Sequence, residues 1–125
     1  MTCRVAIATT DGASVNSHFG SAPQIIIYRL ADGEWSAEEI ITFENETGEC
    51  SGQHEKAEER LSAVSECQYI IASRIGSRMQ RFFEYQHQTY FEMPGAAVDM
   101  ILTKIEKYLE KRSIQWRTLP KILQN

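Results

Sequence analysis

The chain has 125 residues, 42% of them hydrophobic and 24% charged, with a formal net charge of −4. That length suits one domain able to bury about two thirds of its extended-chain surface, so neither a disulfide nor a structural metal is needed for folding. The acidic balance argues against a nucleic-acid binder, which needs a net basic face to displace counterions from phosphate, and no apolar run approaches the ~20 residues that span a bilayer.

Residues 3–9 (CRVAIAT) are a short apolar run that ends at the turn signal Thr10-Asp11-Gly12, which predicts a first strand. Residues 15–23 (VNSHFGSAP) form a loop of small polar residues. Residues 24–30 (QIIIYRL) are β-branched and aromatic, too short for a helix, and suit a strand buried on both faces. Asp32-Gly33 then separates this run from another at 35–43, a strong hairpin signal, so the first third reads as a three-stranded antiparallel meander. After a polar loop, Ser51 is a plausible N-cap for a helix whose Ala57, Leu61 and Val64 recur at helical spacing. A fourth strand (68–73), a second helix (75–85), a short fifth strand (89–92) and a third helix follow. That third helix, after Pro94-Gly95, carries the stripe Ala97, Ile101, Ile105 and Tyr108 or Leu109. The order β-β-β-α-β-α-β-α predicts an α/β domain, a five-stranded mixed sheet with helices on both faces, over residues 1–112. Residues 113–125, interrupted by Pro120, read as a tail.

The opening Met1-Thr2-Cys3-Arg4 lacks the basic-then-apolar pattern of a secretory signal, so a cytoplasmic location without membrane association is expected. There Cys3, Cys50 and Cys67 stay reduced, and an odd count disfavours a disulfide framework. Cys67, between the first helix and the fourth strand where the chain should turn inward, and Cys3, near the start of the first strand, read as buried small hydrophobes. Cys50 and His54 differ: they form C-x-G-x-H where a glycine-bearing loop meets a helix start. Thiolate and imidazole suit iron–sulfur species, copper and zinc, and a helix N-terminus favours anions and lowers a nearby thiol's pKa. An incidental cysteine in an exposed loop explains the spacing equally well. His18 stands in a loop beside Phe19, which could wall a site from water, and Gly20, which could permit close backbone approach; a lone loop histidine is more often simply solvated. Arg74, Arg78 and Arg81 follow the fourth strand, where open α/β sheets collect ligands; Arg74 suits an anionic ligand, while Arg81 reads as a solvated helix face. His87, in a helix-to-strand turn, reads as solvated. No nucleophile triad, phosphate loop, dinucleotide fingerprint or paired carboxylates at strand ends accompany these residues, so no enzyme is expected.

Val5-Ala6-Ile7-Ala8-Thr9, Asp11-Gly12, Val15, His18-Phe19-Gly20, Ala22 and Ile27-Tyr28 resemble the opening of the dinitrogenase iron–molybdenum cofactor biosynthesis family. Residues 50–54 (CSGQH) and 66–76 (ECQYIIASRIG) are similar to its middle, and Phe91-Glu92-Met93-Pro94-Gly95 with the last helix to its end, so the resemblance spans roughly residues 3 to 111. It implies a ribonuclease H-like, three-layer α/β/α fold without the nuclease carboxylates. It also implies transient binding of an iron–sulfur or iron–molybdenum–sulfur cluster, exchanged with cofactor-assembly proteins or apo-nitrogenase. The H-F-G match carries His18 over first as a ligand, and the C-x-G-x-H segment of this chain adds Cys50 and His54 as metal ligands; Phe19, Gly20 and Arg74, read from the residues above, complete the expected cofactor site beside His18. A partner-binding module without cargo, or a carrier of a different molybdenum-containing sulfide cluster, stays open as an alternative.

Overall fold

The computed structural model describes residues 2–43 and 53–118, with side chains for 2–43 and 58–111. Strands β1 (Thr2–Ile7), β2 (Gln24–Ala31) and β3 (Glu34–Thr42) form the expected meander. Helix α1 (Gln53–Ala63), strand β4 (Tyr69–Ala72), helix α2 (Ser77–Tyr85), strand β5 (Thr89–Glu92) and helix α3 (Val98–Thr118) follow. The sheet order is β3-β2-β1-β4-β5, antiparallel through β1–β2–β3 and parallel through β1–β4–β5. This is the mixed five-stranded sheet expected from the element order.

Side-chain alternation along the central strands builds two cores. Ala6, Ala8, Ile25, Ile27, Ile70 and Ala72 point to one face, where Val64 from the end of α1 and Phe83 of α2 cover them. Cys3, Val5, Ile7, Leu30 and Ile71 point to the other, where α3 packs Val98, Ile101, Leu102 and Ile105. The result is three layers, α1 and α2 on one side and α3 on the other. Leu109 completes the α3 stripe, whereas Tyr108 is largely exposed and Ala97 precedes the helix.

The β2–β3 hairpin turns at Asp32 and Gly33, both at positive φ (53° and 78°), the primed-turn geometry that D-G favours. Further along, the pairing jumps from Tyr28↔Ala37 to Ile27↔Glu39, leaving Glu38 as an extra, bulged residue. A bulge reverses the facing of the residues beyond it. Trp35 therefore packs toward α3 while Ile41, of the same parity, packs toward α1 and α2. Glu38 itself meets Arg4 of β1, Oε2 to Nε at 2.9 Å.

Two boundaries differ from the sequence reading. Helix α2 begins at Ser77 rather than 75, because Ile75 is drawn into the core at 2% exposure and Gly76 takes the N-cap with extended dihedrals. Helix α3 continues beyond residue 112 to Thr118, with Pro120 standing just past its end. The expected N-cap Ser51 lies outside the described residues. Among those residues no helix is long and apolar enough to cross a membrane.

Candidate functional site

Beyond the carboxyl ends of β1 and β4 the chain keeps pairing without regular strand, and this positions His18. The Ala8 amide donates to the Ile71 carbonyl at 2.9 Å. The chain then turns around Asp11, whose Oδ1 accepts from the Ala13 amide (2.8 Å), the Ser14 amide (3.1 Å) and the Thr9 hydroxyl (3.1 Å). Those donors, the Ala13 amide foremost, hold the Asp11 carboxyl below its ordinary pKa of 3.8. Gly12 takes a φ of 72° in the turn. Val15 is buried and pinned to the segment before α3, donating to Ala96 and accepting from Gly95 at 2.9 Å each.

From there the loop runs parallel to the chain leaving β4. The Ser73 amide donates to the Ser17 carbonyl at 3.0 Å, and the Phe19 amide donates to the Arg74 carbonyl at 2.9 Å. His18 and Arg74 thus stand opposite each other in an isolated parallel bridge. Extended backbone alternates its side chains. Ser17 and Phe19 are buried, so His18 points out; Ile75 is buried, so Arg74 points out beside it.

The Arg74 end is clamped from two further directions. The Ile75 amide donates to Glu92 Oε2 at 2.8 Å, and Gln80 Nε2 donates to the Ile75 carbonyl at 2.8 Å. Gly76 then starts α2 with neither a side-chain cap nor an acidic residue in the first turn; the Glu92 carboxylate, bound to the amide just before the N-cap, partly offsets the positive end of that helix.

Together these elements border a cleft of about 870 Å³ lined by His18, Gly20, Arg74, Gly76, Arg78 and Arg81, with Leu61, Met79 and Phe82 as its apolar wall. Glu58 of α1 also lines it. Among the described residues that line the cleft, three guanidinium groups stand against one carboxylate, a basic balance within an acidic chain. Such a site suits an anion that also accepts a nitrogen ligand.

The structure brings together His18, Gly20 and Arg74 of the residues singled out from sequence. It does not put the Phe19 ring at the cleft. That ring is 1% exposed and packs edge-on against Phe83, centroids 5.3 Å apart, because it lies on the inward side of the alternation. Phe19 supports the site from beneath and is no wall of it. Gly20 is not at positive φ, and a β-carbon there would meet Met79 Cε at 3.4 Å, an ordinary contact, so neither backbone nor space demands glycine at this position. Arg81, read from sequence as a solvated helix face, lines the cleft. Cys50 lies outside the described residues. His54 belongs to the first turn of α1, four residues before Glu58, and its side chain is likewise outside them. Among the described residues no group of three or more histidine, cysteine or acidic side chains converges as a metal site. Cys3 and Cys67, each 3% exposed, are core residues, and burial pushes the Cys67 thiol up to about 12.

Sequence reasoning missed Glu58, Leu61, Met79 and Phe82 as lining residues, and Glu92 and Arg60 as supports. Arg60 is 1% exposed, sends Nη2 to the Ala22 carbonyl at 2.8 Å and stacks over the Phe43 ring at 4.5 Å. It thereby ties α1 to the chain just after the 3₁₀ turn Phe19–Ser21. A cation at the end of a charge-rich run, K-A-E-E-R, gives no sign of burial in the sequence.

Comparison with known proteins identifies the family. The family model described as dinitrogenase iron-molybdenum cofactor matches residues 1–108. The chain is 28% identical to protein NifX of Sinorhizobium fredii over 120 residues, covering 90% of this chain and 74% of that protein. It is 35% identical to NifX of Rhodobacter capsulatus over 77 residues, about half that protein's length, and 29% identical over 76 residues to the FeMo cofactor biosynthesis protein NifB of Frankia alni, 15% of its length. Among solved structures, a protein assigned as a dinitrogenase from Methanocaldococcus jannaschii shares the fold with a TM-score of 0.56 at 18% identity, over 86% of this chain and 90% of that one. With its sequence matched over nearly its whole length and its sheet order and layers accounted for, the chain belongs to the dinitrogenase iron-molybdenum cofactor family.

Proposed function

We propose that this protein is a non-catalytic carrier that transiently holds an anionic iron–sulfur or iron–molybdenum–sulfur cluster during nitrogenase-type cofactor assembly. Cofactor-assembly proteins or cofactor-free nitrogenase serve as donor and acceptor. The observation that carries this reading is the pairing of His18 with Arg74 at the mouth of a cleft with a basic balance of lining side chains. Imidazole is a competent ligand for iron, and guanidinium groups with helix amides offset the charge of a metal–sulfide core. The similarity to NifX and NifB supports a cargo of that class.

Cys50 and His54 would add ligands from the segment at the start of α1. That helix lines the same cleft through Glu58 and Leu61, and positions 54, 58 and 61 share a helical face. A set of at most three side chains on two separate segments leaves the rest of the cluster open to a receiving protein. Loop-borne ligands also part without disturbing either core. The reading is tested by anaerobic reconstitution with iron–sulfur and iron–molybdenum–sulfur clusters, followed by metal counting and visible spectroscopy. Stoichiometric uptake that His18→Ala reduces supports the carrier; a wild-type chain that takes up no cluster overturns it.

A further inference from the structure

Helix α2 carries a surface that continues past the cargo cleft. Its buried side is formed by Phe83 with partly buried Met79 and Gln80. On the opposite side Arg78, Arg81, Phe82 and Tyr85 follow the i, i+3, i+4, i+7 spacing that keeps side chains within roughly 100° of arc. All four are exposed, Phe82 by 38% and Tyr85 by 80%. Arg78, Arg81 and Phe82 border the cleft, whereas Tyr85 lies past its edge. The stripe therefore runs from the cargo site out onto the open surface.

Two aromatic rings beside two guanidinium groups is the composition that protein interfaces favour at their energetic centres. Basic charge on a chain of net charge −4 is also selective about what may approach. The one carboxylate on α2, Glu84, points away from this role: it accepts the Tyr90 hydroxyl at 2.6 Å. We infer that the Arg78–Arg81–Phe82–Tyr85 face of α2 is the docking surface for an acidic protein partner, the one with which the cleft exchanges its cargo. This rests on the carrier reading above and names the surface through which handover proceeds. A partner seated on Tyr85 and Phe82 has its own ligands beside the cleft mouth. Arg78 and Arg81 then act twice, steering the partner in and holding the anionic cargo until it leaves.

The test uses the full chain and two acceptor probes, cofactor-free dinitrogenase and a NifB-type assembly protein. Their affinities for cluster-free and cluster-loaded chain are measured by biolayer interferometry at low and high salt. At least one probe is expected to bind, more weakly as salt rises. Tyr85→Ser should weaken that binding on the order of tenfold and Tyr85→Glu further, while Tyr85→Phe binds like wild type. Cluster content per chain should be unchanged in all three variants, since Tyr85 does not line the cleft. Failure of both probes to bind, binding indifferent to Tyr85→Ser and Tyr85→Glu, or binding to phosphatidylserine vesicles in place of either protein overturns the docking surface. A chain that binds a probe through Tyr85 but takes up no cluster overturns the carrier reading alone, so the two failures are separable.

Discussion

His18 is exposed and tied into the fold by the backbone of its neighbours, not by its ring, so its side chain contributes little to stability. His18→Ala should lower cluster occupancy by about tenfold or more, judged by metal content and visible absorption. Its thermal stability should stay within about 0.5 kcal/mol of wild type. Phe19 behaves in the opposite way. Emptying its position against Phe83 should cost roughly 3–5 kcal/mol in denaturant melts and loosen the bridge that carries His18. Cys67 gives a residue-scale prediction with a sign. Burial raises its thiol from the ordinary 9.0 to about 12, so the folded chain keeps a proton that the unfolded chain releases earlier. Stability from this group is complete below pH 9 and is lost as pH rises toward 12. Urea melts across that window should show a decline that Cys67→Ala flattens. A thiol reagent at pH 8 should leave Cys67 unlabelled until the chain unfolds.

At the scale of elements, the cleft depends on how three pieces of chain are tethered: the turn after β1, the segment after β4, and α1. Asp11 organises the first through its two amide donors and the Thr9 hydroxyl. Because its folded pKa lies below the ordinary 3.8, its contribution is present above that value and disappears as pH falls through the lower folded value. Asp11→Ala should therefore be less stable than wild type at neutral pH, and the difference should close under strongly acidic conditions; a difference that grew with acid would contradict this account of the turn. Arg60 tethers α1. Removing its buried hydrogen bond and its cover over Phe43 by Arg60→Ala should cost roughly 2–4 kcal/mol and weaken cluster retention even though Arg60 lies outside the cleft. Calorimetry and metal counting on the one variant check both parts. The β3 bulge is an element-scale feature of a different kind. Nothing in Glu34–Thr42 marks Glu38 as extra; the bulge follows from having Trp35 and Ile41 serve opposite cores.

For the whole molecule, the two cores lie on either side of the sheet and the cleft lies beyond one end of it, so cargo and fold are separable. Stripping a loaded protein with a chelator should remove its visible absorption and leave far-ultraviolet circular dichroism unchanged. Loss of both together would mean that the metal is structural. Much of this plan is legible in the chain. Val5 and Ile7 alternating with Ala6 and Ala8, the run Ile25-Ile26-Ile27 and the Asp32-Gly33 turn announce the meander. The later apolar strands, each followed by a helical stripe, announce the parallel half. The family resemblance points to His18, and Arg74 stands out by its place after the fourth strand, where open α/β sheets collect ligands.

What the sequence determined by itself was local: strands from period-two alternation, the hairpin from the positive φ that only a few residues tolerate, the α3 stripe from its 3.6-residue period. Burial and turn chemistry act between near neighbours, and near neighbours are visible in a string. What the tertiary structure decided was which distant segments meet. His18 stands 56 positions before Arg74, and the pairing of Ser17 and Phe19 with Ser73 and Arg74 exists only because β1 and β4 lie side by side in the sheet. The same packing turned Phe19 inward, brought Arg81 to the cleft wall and buried Arg60. In each case the facing of a side chain depends on the element packed against it, and that element lies elsewhere in the chain.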